Sequence, residues 1–150
     1  MDKSVSSPKP CVILSAGGSG GHVFPARAVA EELRARGFRL VVATDTRGLK
    51  YFDGLDAEIP RYVIASGTYN GGISGKVKGA LGLVQGFFQS LGLVRRYHPV
   101  AMVGFGGYPS APPLFAGQVM GVPTLLHEQN AIAGLSNRLL ACIATQVFTA

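Results

Sequence analysis

Ten residues near the N-terminus, Ala-Gly-Gly-Ser-Gly-Gly-His-Val-Phe-Pro at positions 16–25, constrain the fold of this chain most. They join an apolar run at residues 11–14 to a pattern typical of a helix over residues 25–36. Glycine lets a ligand lie against main-chain N–H groups, and at the start of a helix those groups are unpaired and favour negative charge. The segment therefore predicts a strand, an anion-binding turn and a helix.

Short aliphatic runs alternate with helical patterns along the chain. We predict strands at residues 12–14, 40–43, 62–65, 100–105, 124–126 and 146–149, and helices at 25–36, 79–96, 112–120 and 134–143. Nearly continuous apolar character in runs this short is typical of parallel strands that are buried on both faces. The alternation predicts an α/β fold, a Rossmann-like parallel sheet with helices on both faces.

Residues 1–10 are polar and are predicted to form a flexible segment, while residues 11–150 are predicted to form one domain. The last strand reaches residue 150 without a polar tail, which predicts that a further domain is absent from this chain. The N-terminus lacks the apolar core of a signal peptide, and no run of 18 uncharged apolar residues occurs. We therefore predict a cytoplasmic protein without a membrane-spanning helix.

The cysteines and the distribution of charge indicate which kinds of site and partner this protein has. Cys11 and Cys142 lie in apolar contexts and are predicted to be buried, reduced thiols, and the histidines share no metal-ligand spacing. The net charge of +6 is uneven, because residues 61–150 hold six basic side chains and one acidic side chain, Glu128. This asymmetry suits a phosphorylated substrate or an anionic membrane, whereas weak interleaving of aromatic and basic residues disfavours nucleic acid.

Two familiar phosphate-binding motifs are incomplete or missing. The Gly-Lys-Ser/Thr sequence of a Walker loop does not occur. The dinucleotide pattern Gly-x-Gly-x-x-Gly begins at Gly18 and Gly20 but has Val23 in place of the third glycine. Asp45 stands at the end of the second strand, where an acidic residue would bind a ribose. A nicotinamide-dependent oxidoreductase domain therefore remains an alternative.

Polar residues beside predicted strand ends are candidates for chemistry. His22 is predicted in the first helical turn, where the dipole disfavours imidazolium and keeps the ring available as a base. Residues 127–130, His-Glu-Gln-Asn, follow a strand directly, and their carboxylate and amide groups suit sugar hydroxyls. Asn130 alternatively caps the helix that follows.

A second glycine-rich turn, Gly-Phe-Gly-Gly-Tyr-Pro-Ser at residues 104–110, also follows an apolar strand. Both turns would lie at the carboxyl ends of parallel strands, where open α/β sheets bind ligands. Two such turns predict a ligand with more than one phosphate, and the alternative is that the second is only a tight turn.

Residues 79–94 are apolar around most of a helix, and Lys76, Lys78, Arg95 and Arg96 flank them. A buried helix explains the apolar residues, whereas a segment resting on anionic lipid also explains the cations. Both interpretations stay open at this point.

Three motifs in order, at residues 17–25, 104–110 and 127–137, closely resemble the MurG family of peptidoglycan N-acetylglucosaminyltransferases. The resemblance covers residues 12–150 and implies one half of a GT-B fold, in which two Rossmann-like domains face each other across a cleft. This chain would be the N-terminal, acceptor-binding half, without the donor-binding C-terminal domain. The implied reaction moves GlcNAc from UDP-GlcNAc to the MurNAc 4-hydroxyl of lipid I, with inversion, and forms lipid II. The isolated fragment is expected to be inactive.

The same resemblance implies roles for individual residues. His22 and Glu128 would be catalytic, with His22 favoured as the base. The donor sugar nucleotide would be contacted by Gly20, Gly21, Asn130 and Ser19, which replaces the usual threonine. The acceptor diphosphate would be held by Gly17, Gly18, Gly104, Gly106, Gly107 and Tyr108. The membrane contacts would be Ile73, Lys76, Lys78, Leu81, Phe87, Phe88, Arg95 and Arg96.

The implied partners are lipid I (undecaprenyl-pyrophosphoryl-MurNAc-pentapeptide), UDP-GlcNAc and an anionic membrane surface. No nucleic acid, no metal and no cofactor beyond the substrate UDP-GlcNAc is expected. The implied location is the cytoplasmic face of the cell inner membrane, as a peripheral protein. The alternatives are the nicotinamide-dependent oxidoreductase domain and a non-catalytic domain that binds a membrane surface.

Overall fold

The computed structural model describes residues 8–67 and 71–149. Seven residues of the predicted flexible segment, 1–7, therefore lie outside the described residues, as does the last residue of the predicted domain. Residues 8–10 are exposed and lead directly into the first strand.

The described residues form one sheet of six parallel strands. The strands are β1 (Cys11–Ser15), β2 (Arg39–Thr44), β3 (Arg61–Val63), β4 (Ala101–Gly104), β5 (Thr124–Glu128) and β6 (Gln146–Thr149). Their order is β3-β2-β1-β4-β5-β6, so the chain reverses direction across the sheet between β1 and β4. Ligands bind outside the carboxyl ends of the strands at such a reversal. The predicted α/β architecture is confirmed.

Five helices connect the strands. They are α1 (Gly20–Ala35), α2 (Thr46–Leu49), α3 (Gly72–Tyr97), α4 (Ala111–Val119) and α5 (Leu135–Ala141), with 3-10 turns at Lys50–Phe52 and Tyr108–Ser110. The four predicted helices are present, but α1 starts at residue 20 instead of 25 and α3 at residue 72 instead of 79. Both errors have one cause: glycine lowers helix propensity, so the glycine-rich first turns of these helices were predicted as loops.

The core occupies both faces of the sheet because successive strand residues point to opposite sides. Val12 and Leu14 pack under α1 with its buried Val23, whereas Ile13 packs on the other face with Leu93 of α3. As predicted, Gly37 ends α1, since it has a φ of 88° and donates its N–H to the Arg34 carbonyl. Cys11 is buried as predicted, but Cys142 is exposed, because it follows the short α5 at the surface.

Helix α3 is held against the domain by a glycine face. A Cβ atom added to Gly86 would lie 2.0 Å from the Ala65 carbonyl oxygen, so the strand exit packs directly on the helix backbone. The opposite face of α3 is exposed. By length and composition alone α3 could cross a membrane, although the sequence has no run of 18 uncharged apolar residues. The prediction of a buried helix thus holds for one face only.

Candidate functional site

The two glycine-rich turns meet at the carboxyl end of the sheet. A Cβ atom added to Gly107 would lie 2.9 Å from the Gly17 carbonyl oxygen. Ser110 Oγ donates to the Ser15 carbonyl at 2.9 Å, and Ser15 Oγ donates to the Pro109 carbonyl at 3.1 Å. Buried reciprocal bonds of this kind fix the two turns against each other. The expectation that both lie on one edge of the sheet is met.

Asp45 organises the first turn. Its buried Oδ1 accepts hydrogen bonds from the main-chain N–H groups of Gly18 at 2.9 Å and Gly48 at 2.8 Å. Its Oδ2 accepts from Arg47 Nε at 3.0 Å. Both carboxylate oxygens are therefore engaged inside the protein, and Asp45 does not present the free carboxylate that a ribose would need. The Gly18 N–H is likewise occupied, so this group is not available to a phosphate.

The start of α1 offers the free donors. Ser19 has extended backbone angles and its side chain makes no capping bond. The N–H groups of His22 and Val23 donate to the Ser19 carbonyl. Among the described residues none accepts from the N–H groups of Ser19, Gly20 or Gly21. This is the position where the helix dipole favours an anion.

A cleft of about 330 Å³ opens between the two turns. Arg47 is the one lysine or arginine among its described lining residues, and its guanidinium reaches over the first turn. The cleft is lined by Gly17, Gly18, Ser19, His22, Arg47, Gly107, Tyr108, Pro109, Leu135 and Ser136. Main-chain donors, a cation and an imidazole on one small cleft suit a phosphorylated ligand.

Hydrogen bonds at Nδ1 orient the His22 ring. Nδ1 lies 3.0 Å from the Phe105 carbonyl oxygen and 2.7 Å from Nε2 of Gln129. A carbonyl oxygen can only accept, so we assign the ring proton to Nδ1. This assignment requires the Gln129 amide to be turned by 180°, so that its oxygen instead of its nitrogen faces Nδ1. The lone pair then sits on Nε2, as in a general base.

Both carboxylate oxygens of Glu128 accept hydrogen bonds from neighbouring residues. Its side chain is 4% exposed; Oε1 accepts from the Asn130 main chain and side chain, and Oε2 accepts from Asn137 Nδ2 at 2.8 Å. Burial alone would raise the pKa of Glu128, but the hydrogen bonds from Asn130, Asn137 and the Gly134 backbone outweigh it and lower the pKa. A carboxylate held in its charged form is a weak base.

Several residues that were predicted to belong to the site lie in positions that differ from the predictions. Asn130 does not cap α5, which begins after Gly134; it is exposed at the sheet edge and bonded to Glu128. Gly104 and Gly106 are buried, and Gly104 packs against Leu114 of α4, so neither lines the cleft. Gly20, Gly21, Gly107 and Tyr108 keep accessible surface.

The predicted membrane contacts separate into two groups. Ile73 and Leu81 belong to an exposed apolar stripe of α3 that also contains Val77, Val84 and Phe88. Phe87 is partly buried, with its ring 5.4 Å from that of Phe115. Lys76 and Lys78 stand near the N-terminal end of α3, where Lys76 lines a cavity together with Tyr108, whereas Arg95 and Arg96 stand in the last turn of the helix. Lys76 and Arg96 are twenty residues apart along the helix, about 30 Å.

Sequence reasoning named Gln129 among groups for sugar hydroxyls but not as a partner of His22, and it gave no role to Asn137 or Arg47. Gln129 and His127 share one face of the polypeptide because side chains alternate in an extended segment, and this alternation could have placed them together. Asn137 lies nine residues from Glu128, and no spacing rule predicts their contact.

Comparisons with known proteins agree with this geometry. A family model described as the glycosyltransferase family 28 N-terminal domain matches residues 12–149. The UDP-N-acetylglucosamine--N-acetylmuramyl-(pentapeptide) pyrophosphoryl-undecaprenol N-acetylglucosamine transferase of Rhodospirillum centenum is 46% identical over 92% of this chain and 36% of its own length. The protein of the same name from Methylobacterium nodulans is 48% identical over 94% of this chain and 38% of its own length.

Solved structures show the same fold. The crystal structure of Acinetobacter baumannii MurG matches with a TM-score of 0.79 and 34% identity, covering 95% of this chain and 42% of that one. A calicheamicin glycosyltransferase matches with a TM-score of 0.60 at 15% identity, covering 91% of this chain and 36% of that one, which shows the fold alone. The chain spans a little over a third of the length of the curated relatives it matches.

Proposed function

This chain belongs to the family of glycosyltransferase family 28 N-terminal domains, and on that basis we propose that it is the acceptor-binding half of an inverting N-acetylglucosaminyltransferase. The donor is UDP-GlcNAc, and the acceptor is lipid I, a polyprenyl diphosphate that carries MurNAc-pentapeptide. The names of the relatives that are 46% and 48% identical support these substrates. The product is lipid II, a precursor of peptidoglycan.

One observation carries the proposal: the two glycine-rich turns meet around a cleft lined by His22, Arg47 and Ser19, the first of the residues with a free main-chain N–H at the start of α1. A diphosphate needs several donors at close range, and the start of a helix next to a cation can provide them. The acceptor sugar, attached to the diphosphate, would then lie beside the imidazole.

The chemistry that follows is a single displacement. The acceptor 4-hydroxyl oxygen attacks the anomeric carbon of the donor, the bond to the UDP oxygen breaks, and UDP leaves with the electron pair. His22 Nε2 takes the hydroxyl proton, because Nδ1–H is held by the Phe105 carbonyl. Asn130, whose Nδ2 donates to Glu128, would hydrogen-bond a hydroxyl of the donor sugar.

The test uses the full-length gene product with labelled UDP-GlcNAc and a lipid I acceptor. We expect one GlcNAc to be transferred, and Arg47→Gln to raise KM for the acceptor by about tenfold, the value of one charge-assisted hydrogen bond. Arg36→Gln is the matched control, since Arg36 is exposed on α1 and pairs only with Glu32 among the described residues. Absence of transfer by the wild type would refute the proposal, and binding without transfer would favour the non-catalytic alternative.

The same proposal includes peripheral contact with an anionic membrane. The apolar stripe of α3 lies next to Lys76 and Lys78 at the cleft end of the helix, which would bring the cleft to the lipid surface. Apolar area and basic residues together make an interfacial segment.

Replacing Lys76 and Lys78 with glutamine should weaken co-sedimentation with anionic vesicles about 10- to 30-fold, because each cation contributes roughly 1 kcal/mol near such a surface. The matched variant, Arg95→Gln with Arg96→Gln, should have a smaller effect, since these residues are at the far end of α3. Equal effects of the two pairs, or binding that is insensitive to salt, would contradict this orientation.

A further inference from the structure

We propose that an apolar groove between α3 and α5 binds the first part of the acceptor's polyprenyl chain; this inference rests on the function proposed above. The groove has a volume of about 520 Å³. It is lined by Lys76, Leu83, Tyr108, Ala111, Leu135, Ser136, Leu139 and Leu140. A cavity of this size is within the range of ligand-binding pockets.

The groove adjoins the diphosphate cleft. Tyr108, Leu135 and Ser136 line both cavities, so the two share one wall. A ligand whose diphosphate lies against the start of α1 would therefore have its next atoms at the entrance of the groove. In a polyprenyl diphosphate those atoms are the first isoprene unit.

The lining selects an apolar chain over a polar ligand. Leucine supplies four of the eight lining residues and alanine another, and these side chains offer no hydrogen-bonding group. Lys76 is the single charged residue among the described residues of the lining, and its cation would complement a phosphate bound in the adjoining cleft. Polar ligands would lose their hydrogen bonds to water here without replacement.

The groove also points the chain toward the proposed membrane surface. Leu135 and Leu139 are each 65% exposed, so the outer wall of the groove is open. Lys76 follows Ile73 and precedes Val77 on α3, which places the groove rim next to the exposed apolar stripe. A chain bound here would lead from the cleft toward that stripe.

The test compares two water-soluble acceptors in the absence of membrane and detergent, with the full-length gene product. Both carry the MurNAc-pentapeptide diphosphate; one ends in a methyl group and the other in a two-isoprene chain. We expect the wild type to have a lower KM for the isoprenyl acceptor. Leu139→Ser should raise that KM about 3- to 10-fold through lost apolar contact, while leaving KM for the methyl acceptor unchanged.

Two matched variants make the result specific. Leu139→Met keeps an apolar side chain and should retain the preference for the isoprenyl acceptor. Val119→Ser removes an apolar side chain of similar exposure, 59%, from the end of α4, outside both cavities, and should also retain it. Equal KM values of the wild type for the two acceptors, or equal loss in Val119→Ser and Leu139→Ser, would overturn the groove. Transfer to the methyl acceptor would leave the proposed function standing in either case, whereas transfer to neither acceptor would remove the function itself.

Discussion

Replacing His22 with alanine in the full-length gene product is expected to lower kcat for sugar transfer by about 10²- to 10⁴-fold, the usual contribution of a positioned general base. The expectation rests on the ring's orientation: Nδ1 faces the Phe105 carbonyl, and the ring forms part of the cleft wall. KM for the acceptor should change little, because Arg47 and the free N–H groups of α1 hold the diphosphate in this proposal. A fall in kcat with KM unchanged marks an interaction made in the transition state.

His98→Asn is the matched control for His22→Ala. His98 is exposed at the end of α3 with a φ of 46°, a conformation that asparagine tolerates. This variant should keep wild-type kcat. If His22→Ala keeps kcat within about threefold of wild type, another group accepts the proton, since general bases contribute far more than that. Gln129→Ala is a second variant that tests the same role. It removes one contact of the His22 imidazole but leaves the imidazole in place, so it should lower kcat less than His22→Ala does.

The fold was predictable because its signals are local. Apolar runs of three to six residues separated by helical patterns have few solutions other than a parallel sheet, and all six strands are present. The glycine-rich turns were predictable for the same reason, since each lies within ten residues of its strand. Helix starts were not, because α1 begins at Gly20 and α3 at Gly72, in glycine-rich segments whose low helix propensity predicts turns.

The site was only half predictable, because its polar network joins residues that are distant in sequence. Gly18 and Asp45 are 27 residues apart, and their bond decides that one apparent phosphate donor is already occupied. Likewise His22 and Gln129 are 107 residues apart. A sequence shows which residue types are present at the sheet edge, but only the crossover geometry shows which donors remain free. The nicotinamide alternative loses its support for the same reason, since Asp45 is engaged in the turn.

The two candidate bases are separated by their surroundings. Glu128 has both oxygens occupied and its pKa lowered, and it is absent from the cleft lining. His22 lies on the cleft, and the hydrogen bonds of its ring are all at Nδ1, which leaves Nε2 free to accept a proton. We therefore assign the proton transfer to His22, and to Glu128 the positioning of Asn130 and Asn137.

That positioning role predicts a large loss of stability on substitution. Glu128→Ala in the 150-residue chain should lower the free energy of unfolding by about 2–4 kcal/mol, because the buried Asn137 amide loses its acceptor and a cavity replaces the carboxylate. Glu31→Ala, an exposed change on α1, should stay within about 0.5 kcal/mol of wild type. Urea unfolding followed by circular dichroism measures both.

The pH dependence of this loss distinguishes a charged acceptor from simple packing. Because folding lowers the pKa of Glu128, the charged form adds stability above the unfolded pKa, about 4.3, and that stability is lost as pH falls through the folded pKa. The stability difference between wild type and Glu128→Gln, which cannot ionise, should therefore be largest near neutral pH and shrink in acid. A difference that stays constant from pH 7 to about pH 3 would mean that the carboxylate is held by packing alone, and that its charge does not orient the two asparagines.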